Sequence, residues 1–211
     1  MNYFNLEHII KPMDIKLVIF DLDGTVVENN YDWALIRKTL GVEGGSILSY
    51  LDRLPETEKK RKYAQLEEFE RQQTRAARLK PGIQEFLAYL KSAGLSTALV
   101  TNNNRENTEY LLQKFKLKFD LVITRESGLY KPTGEPFKEV LSRLGVKPEQ
   151  TVVIGDTHYD LLAAEKAGIA RVFILKSDMT PEHLAKAVLV NSFAEIKAQL
   201  DKIIGPQPEI C

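Results

Sequence analysis

Carboxylates occur at two points of this sequence, each time directly after an apolar run. Asp21 and Asp23 follow "KLVIF", and Asp156 and Asp160 follow "TVVIG". Carboxylates held close together repel one another unless a cation compensates them. An all-oxygen ligand set, with no cysteine and no well-placed histidine beside it, suits magnesium, which binds through one or two carboxylates and substrate phosphate. We therefore predict a Mg²⁺ site.

Three other polar positions follow or lie near predicted strand ends. Thr101 and Asn102 come directly after "STALV", and Lys131 lies in "GLYKPTGEPF", the loop after "FDLVIT". A hydroxyl, an ammonium group and the backbone N–H groups near Gly24 and Asn102 are groups that bind phosphate oxygens. Beside a metal and a carboxylate, they indicate phosphoryl transfer, in which positioning and charge stabilisation dominate.

The two leading carboxylates have separable roles in such a site. An aspartate can itself be the nucleophile and form an acyl-phosphate that water later cleaves. Asp21 is first after its strand and is best placed to attack. Asp23, on the same side of an extended turn, is placed to protonate the leaving oxygen and later deprotonate the attacking water.

Six short apolar runs predict the strands that position these residues: "IKLVIF", "LSTALVT", "FDLVIT", "TVVIG", "ARVFIL" and the weaker "AVLV". Continuous apolar character is typical of parallel strands covered on both faces. Helices are predicted between them, three of which end at Gly94, Gly145 and Gly168. The alternation predicts an α/β fold with a doubly wound, Rossmann-like parallel sheet, in which ligands bind beyond the carboxyl ends of the strands.

Residues 26–80 interrupt this alternation, because they contain helical patterns and no convincing strand. We predict a small all-helical cap at 26–80, inserted after the first strand of a core made of 1–25 and 81–211; a crossover helix pair packed on the sheet is the alternative. The charged run in 56–78 is expected to be a solvated helix face with spaced ion pairs. Arg71, Arg75 and Arg78 would share one side of this helix, and one of them could reach an anionic substrate. Trp33 and Tyr159 are expected to be packing residues, and His158 a loop residue rather than a ligand.

Composition limits the classes of partner. Basic and acidic residues number 29 each, so no charge excess favours nucleic acid or an anionic membrane. The single cysteine, Cys211, excludes an internal disulfide and a cysteine-based metal site. No secretory signal or membrane-spanning apolar run is recognisable. We expect a cytoplasmic monomer or weak homodimer that acts on a small phosphorylated metabolite.

The motifs together resemble the haloacid dehalogenase superfamily of phosphotransferases. "DLDGT", Thr101 at the end of "ALVT", Lys131 with Pro132, and "VIGDTHYDLLAAEKAG" resemble its four motifs in order, between about Lys16 and Leu175. The resemblance implies that Mg²⁺ is held by the Asp21 side chain, the Asp23 carbonyl and Asp156. It also implies that Asp160 supports the metal site without contacting the ion directly, and that Thr101 and Lys131 hold the phosphoryl group.

Within the superfamily, the helical insert resembles in position the cap of the phosphoglycolate phosphatase and β-phosphoglucomutase branch. The implied activity is a Mg²⁺-dependent phosphatase that hydrolyses a phosphoglycolate-like monoester through an aspartyl-phosphate. The chain departs from that branch at Glu28-Asn29, where an aspartate–serine pair is frequent, and at Gly134, where a second proline is common. The insert is also short, which leaves substrate choice open.

Two alternatives remain at this point. A phosphomutase of the β-phosphoglucomutase type would be expected to carry a histidine in its cap, and residues 26–80 contain none. A non-catalytic phosphoacceptor signalling module also uses acids, a threonine and a lysine around Mg²⁺. Its accepting aspartate usually follows an interior strand in chain order, whereas Asp21 follows the first, and such a module does not explain the helical insert. A dehalogenase is less favoured, because Asp23 would have no leaving alkoxide to protonate.

Overall fold

The computed structural model describes residues 14–28, 31–175 and 186–204. Within these ranges six strands form one parallel sheet in the order β3-β2-β1-β4-β5-β6. The strands are β1 (Leu17–Phe20), β2 (Ser96–Val100), β3 (Leu121–Ile123), β4 (Thr151–Gly155), β5 (Arg171–Leu175) and β6 (Val188–Val190). All six predicted strands and the doubly wound α/β fold are confirmed. The first thirteen residues, Asn29, His183 and Cys211 lie outside the described ranges.

Eight α-helices occur among the described residues. They are α1 (Trp33–Leu40), α2 (Ile47–Leu51), α3 (Glu56–Ala76), α4 (Ile83–Ser92), α5 (Arg105–Lys114), α6 (Glu135–Leu144), α7 (His158–Lys166) and α8 (Phe193–Ile204). The glycines predicted to stop α4, α6 and α7 do so in the left-handed region, with φ of 70° at Gly94, 64° at Gly145 and 78° at Gly168. A side chain would be strained there, so these glycines turn the chain back toward the sheet.

Helices cover both faces of the sheet, as the uninterrupted apolar strands require. Alternate residues of β1 point to opposite faces: Val18 and Phe20 pack in the cluster with α4, α5 and α8, whereas Leu17 and Ile19 pack in the cluster with α6 and α7. β1 is therefore fully buried at the centre of the molecule. The residues that follow its last position are therefore anchored to a buried strand that is paired on both sides.

The segment between β1 and α4 has a hydrophobic cluster of its own. Residues of α1, α2, α3 and the loop between α1 and α2 bury one another there: Ile36, Leu40, Val42, Ile47, Leu48, Leu51 and Leu66. The chain leaves and re-enters the sheet region through paired segments, since the N–H of Glu28 donates to the carbonyl of Arg78 at 2.8 Å and that of Lys80 to Val26 at 3.0 Å. The division into a core and a cap at 26–80 stays a prediction.

The sequence analysis expected the charged residues of α3 to form a solvated helix face, but two of them are buried in the structure. Exposed pairs such as Lys60–Glu56 and Arg71–Glu68 do lie on its outer face. Lys62 and Glu70 are buried, however, and the ammonium of Lys62 donates to the carbonyl of Leu40 at 2.6 Å. The prediction is wrong for these two residues because tertiary partners satisfy their charged groups. In the described part of the chain, no helix combines the length and the apolar character needed to cross a bilayer.

Candidate active site

Asp21 stands at the carboxyl end of the central strand. Its backbone N–H continues the ladder of β1 by donating to the carbonyl of Ile154 on β4 at 3.0 Å. The chain then turns tightly, because the N–H groups of residues 25–27 all donate to the carbonyl of Leu22. The turn keeps Asp23 beside Asp21 instead of letting the chain run on as a strand.

Lys131 joins two buried carboxylates. Its ammonium donates to Oδ1 of Asp21 at 2.5 Å and to Oδ1 of Asp160 at 2.6 Å. Asn102 fixes the backbone of Lys131, because its side-chain amide donates to the Lys131 carbonyl and accepts from the Lys131 N–H, both at 2.9 Å. The loops after β2 and β3 are thus tied together, and the predicted residues Asn102 and Lys131 meet at Asp21.

Asp160 lies in the first turn of α7 with both carboxylate oxygens engaged. Oδ2 accepts the N–H of Thr157 at 3.1 Å and its hydroxyl at 2.8 Å, while Oδ1 is held by Lys131. Gly155 makes room for this carboxylate, since a Cβ there would lie 2.4 Å from Cγ of Asp160. Asp160 is therefore held fast next to the site, as a supporting residue would be.

Asp156 packs against the turn that carries Asp21 and Asp23. Gly24 has φ of +93°, and a Cβ on it would lie 1.9 Å from Oδ2 of Asp156. The absence of a side chain at Gly24 therefore makes room for this carboxylate. The hydroxyl of Thr25 donates to the other oxygen of Asp156 at 3.5 Å. The β1 and β4 strand ends are joined in this way.

Asn103 connects Thr101 with Asp23. Its N–H donates to the buried Thr101 hydroxyl oxygen at 3.0 Å, and its side-chain amide donates to Oδ2 of Asp23 at 2.9 Å. The same amide nitrogen lies 3.5 Å from the hydroxyl of Tyr31. Of the three asparagines after Thr101, the sequence analysis named only Asn102 as a site residue. Asn104 caps helix α5, since its side chain accepts the N–H of Asn107 at 2.8 Å, whereas Asn103 belongs to the site.

Burial disfavours the charged form of three carboxylates in this site and so raises their pKa values. It raises the pKa of Asp21 to about 7, with Lys131 opposing and the charges of Asp160 and Asp23 reinforcing the rise. Burial raises the pKa of Asp156 to about 9, helped by the charges of Asp21 and Asp160, and it also raises the pKa of Asp23. For Lys131, burial alone would lower the pKa, but the two carboxylates it contacts raise it and keep the ammonium charged.

The donor set fits a hard divalent cation. Oxygen atoms of Asp21, Asp156 and Asp160 lie within 4.8 Å of one another. Among the described residues that line this site, several carboxylates face a single ammonium, that of Lys131, which leaves an excess of negative charge. Carboxylate oxygens are the ligands that Mg²⁺ prefers. Both oxygens of Asp160 already accept hydrogen bonds, from Lys131 and from Thr157, whereas Lys131 contacts only Oδ1 of Asp21. The carboxylates of Asp21 and Asp156 are therefore better placed than that of Asp160 for direct contact with a metal.

A cavity of about 330 Å³ opens over the strand ends. Asp21, Asp23 and Lys131 form part of its floor, and α1, α2 and α3 contribute its roof. Three further charged residues line it that the sequence analysis did not name: Arg37 of α1, Glu70 of α3 and Arg125 of the loop after β3. Glu70 and Arg125 form a buried ion pair. No local pattern in the sequence could have joined residues so far apart in the chain.

Comparison with known proteins agrees with this geometry. Residues 28–174 match the family model described as haloacid dehalogenase-like hydrolase. The chain belongs to the haloacid dehalogenase-like hydrolases. The predicted superfamily membership is therefore confirmed, and so is the prediction of a hydrolase enzyme.

Individual members of the haloacid dehalogenase-like hydrolases resemble the chain over most of its length. A putative pyrophosphatase PpaX from Caldanaerobacter subterraneus subsp. tengcongensis is 31% identical over 91% of this chain and 96% of that protein. The structure of a predicted phosphoglycolate phosphatase from Haemophilus somnus superposes with a TM-score of 0.69 at 26% identity, covering 88% and 98% of the two chains. That of a putative β-phosphoglucomutase from Thermotoga maritima gives 0.62 at 26% identity, covering 90% and 100%.

Proposed function

We propose that the protein is a Mg²⁺-dependent phosphatase that hydrolyses a small phosphate monoester through an aspartyl-phosphate at Asp21. The observation that carries the proposal is the contact of Asp21 Oδ1 with the Lys131 ammonium at 2.5 Å, at the end of the central strand and beside Asp23 and Asp156. A carboxylate at a rigid strand end, next to a cation that can also contact phosphoryl oxygens, is positioned for in-line attack.

The proposed reaction has two steps. In the first, Oδ of Asp21 forms a bond to phosphorus, the bond from phosphorus to the leaving oxygen breaks, and Asp23 gives its proton to that oxygen. In the second, Asp23 takes a proton from water, the water oxygen bonds to phosphorus, and the carboxylate of Asp21 leaves with the release of inorganic phosphate. The raised pKa of Asp23 suits a group that must begin the cycle protonated.

Thr101, Lys131 and the backbone near Asn102 would hold the phosphoryl oxygens, as the sequence analysis predicted. The Asp21 and Asp156 side chains and the carbonyl of Asp23 would hold Mg²⁺, with Asp160 in support. When bound, the metal would neutralise charge on the transferring group and on the crowded carboxylates. Asn103, by binding both Thr101 and Asp23, would keep the phosphate-holding hydroxyl and the proton donor in register.

The direct test is phosphate release from p-nitrophenyl phosphate by the purified protein. We expect release with Mg²⁺, loss of release with EDTA, and recovery when Mg²⁺ is added in excess. Release that survives chelation would contradict the metal-dependent mechanism. Phosphate retained on the protein without turnover would support the signalling module instead.

The phosphomutase alternative draws on the similarity to a putative β-phosphoglucomutase. Residues 26–80 contain no histidine, and of the three histidines in the sequence only His158 lies in the described ranges, on the α7 side of the cavity. A mutase must also keep water away from its aspartyl-phosphate. Equal yields of inorganic phosphate and free alcohol would favour the phosphatase, and isomerised ester without phosphate release would favour the mutase.

Metal binding should stabilise the protein in a pH-dependent manner. The pKa values of Asp21 and Asp156, about 7 and about 9 without metal, lie above the unfolded value of about 3.9. The metal-free folded state therefore binds more protons than the unfolded state between these values, and its stability falls as the pH rises through that window. Bound Mg²⁺ would replace those protons on the Asp21 and Asp156 carboxylates.

We expect saturating Mg²⁺ to raise the Tm by roughly 5–10 °C near pH 8.5. A ligand at a hundredfold excess over its Kd stabilises the folded state by about 2.7 kcal/mol, and that free energy corresponds to a shift of this size for a chain of this length. The rise should be smaller at about pH 5.5, where protons compete for the same oxygens. Thermal unfolding with Mg²⁺ and with EDTA at both pH values measures this. Asp156→Asn is the matched variant and should lose most of the rise; a rise equal at both pH values would contradict the linkage.

A further inference from the structure

Two aromatic rings stand in the cavity next to the proposed proton donor. The rings of Tyr31 and Trp33 lie 4.7 Å apart at an angle of 34°, and both line the cavity. The Asn103 amide that donates to Asp23 lies 3.5 Å from the Tyr31 hydroxyl. Since Asp23 is proposed to protonate the leaving oxygen, this ring pair borders the space that the leaving group must occupy.

Trp33 packs against Tyr31, but much of its surface stays exposed. Its side chain is 44% exposed, and it is not among the residues of the hydrophobic cluster formed by α1, α2 and α3. Ile47, Leu48 and Leu66, which belong to that cluster, continue the apolar wall of the cavity beyond the ring pair. A large apolar surface left open inside a concave site is a common feature of ligand pockets.

Two arginines line the cavity on the side of α1 and α3. Arg125 lines the same part of the cavity, but its guanidinium is paired with the buried carboxylate of Glu70 and donates through Nε to the carbonyl of Asn102 at 3.0 Å. The carboxylate of Glu70 therefore offsets the charge of Arg125, whereas Asp23 is proposed to begin the reaction protonated. Arg37, farther along α1, also lines the cavity and donates to the carbonyl of Gly45 at 2.8 Å.

We infer that the substrate is a phosphate monoester whose leaving group carries an aromatic ring, which stacks on the Tyr31–Trp33 pair. The inference rests on the proposed phosphatase function and replaces the phosphoglycolate-like substrate implied by the family resemblance. Stacked or edge-on ring contacts add to the burial of apolar area. The cavity volume of about 330 Å³ is at the lower end of the range for small-molecule sites, roughly 300–1,000 Å³.

The test compares esters whose leaving alcohols differ in the ring. Benzyl phosphate and ethyl phosphate both release an alkyl alcohol, so a difference in kcat/KM reports mainly binding of the ring; phosphoglycolate supplies the anionic leaving group. We expect benzyl phosphate to exceed both others by about tenfold or more, since roughly 1.4 kcal/mol of transition-state binding gives a factor of ten. Trp33→Ala should reduce the benzyl-to-ethyl ratio to near one. Leu35→Ala is the control, because Leu35 is a half-exposed residue of the same helix and does not line the cavity.

Trp33 also provides a binding signal that does not depend on turnover. It is the single tryptophan of the sequence, so its fluorescence reports on this wall alone. Benzylphosphonate, which cannot be hydrolysed at its carbon–phosphorus bond, should change the emission and bind about tenfold more tightly than methylphosphonate.

The outcomes separate the two proposals. If phosphate is released from all three esters with a benzyl-to-ethyl ratio near one, or if phosphoglycolate is preferred, the aromatic inference is wrong and the phosphatase proposal stands. If no ester releases phosphate in the presence of Mg²⁺, the phosphatase proposal fails and the inference fails with it. Equal binding of the two phosphonates would also overturn the inference.

Discussion

Asp21→Asn is expected to abolish phosphate release, lowering kcat by about 10⁴-fold or more, because single losses of a nucleophile in other enzymes cost up to about 10⁶-fold. The amide has nearly the shape of the carboxylate but cannot form the acyl-phosphate. Steady-state release of phosphate, measured with saturating Mg²⁺, gives the loss. Mass spectrometry of the protein quenched during turnover should show a phosphorylated species in the parent and none in the variant.

The fold should survive this change. Lys131 keeps Asp160 as a partner at 2.6 Å, and the substitution removes a carboxylate whose pKa is raised to about 7 by burial. We expect the free energy of unfolding to change by no more than about 1 kcal/mol. Asp14→Asn is the matched control, since Asp14 is exposed before the amino end of the same strand and should keep full activity. Turnover that persists in Asp21→Asn would refute covalent catalysis at this residue.

Asp23→Asn is expected to lower kcat by about 10²- to 10⁴-fold, the usual contribution of a general acid and base. The amide of Asn103 donates to Asp23 at 2.9 Å, and the oxygen of an asparagine can accept the same hydrogen bond. Geometry should therefore be retained while the transferable proton is lost.

The leaving group distinguishes loss of the acid from simple disturbance of the site. An alkyl alcohol needs a proton as it departs, whereas p-nitrophenolate is stable without one. The loss of kcat/KM caused by Asp23→Asn should accordingly be larger for benzyl phosphate than for p-nitrophenyl phosphate, since kcat/KM reports the steps up to departure of the leaving group. An equal loss of kcat/KM for both esters would contradict proton transfer in the first step.

The site explains why such crowded acids persist in a folded protein. Burial raises the pKa values of Asp21, Asp23 and Asp156, so the metal-free site opposes folding as the pH rises. The pairing of β1 with β2 and β4 stabilises the fold and offsets the free energy needed to keep these carboxylates charged. The same low-polarity surroundings strengthen the interaction of these carboxylates with a bound cation and with a transferring phosphoryl group.

Much of the site could be predicted from the sequence because it depends on strand ends. Each apolar run fixed the position of a parallel strand, and in such sheets the carboxyl ends share one edge. Asp21, Thr101 and Asp156 therefore had to lie close together, and Lys131 follows the next strand along. Periodicity and helix-stopping glycines, which are local signals, were sufficient to place these residues.

Contacts between distant segments required the tertiary structure. The Asn102 amide that binds both backbone groups of Lys131, the ion pair of Glu70 with Arg125, and the half-exposed ring of Trp33 in the cavity have no local signature. A charged residue on a polar helix is solvated unless some other part of the chain supplies its partner, and the sequence does not say where that part lies. Sequence alone thus determined the strands, the order of the motifs and the chemistry of the strand ends. Only the folded chain decided which face of α3 is buried and what lines the leaving-group side of the cavity, because both depend on how α1 to α3 pack over the sheet.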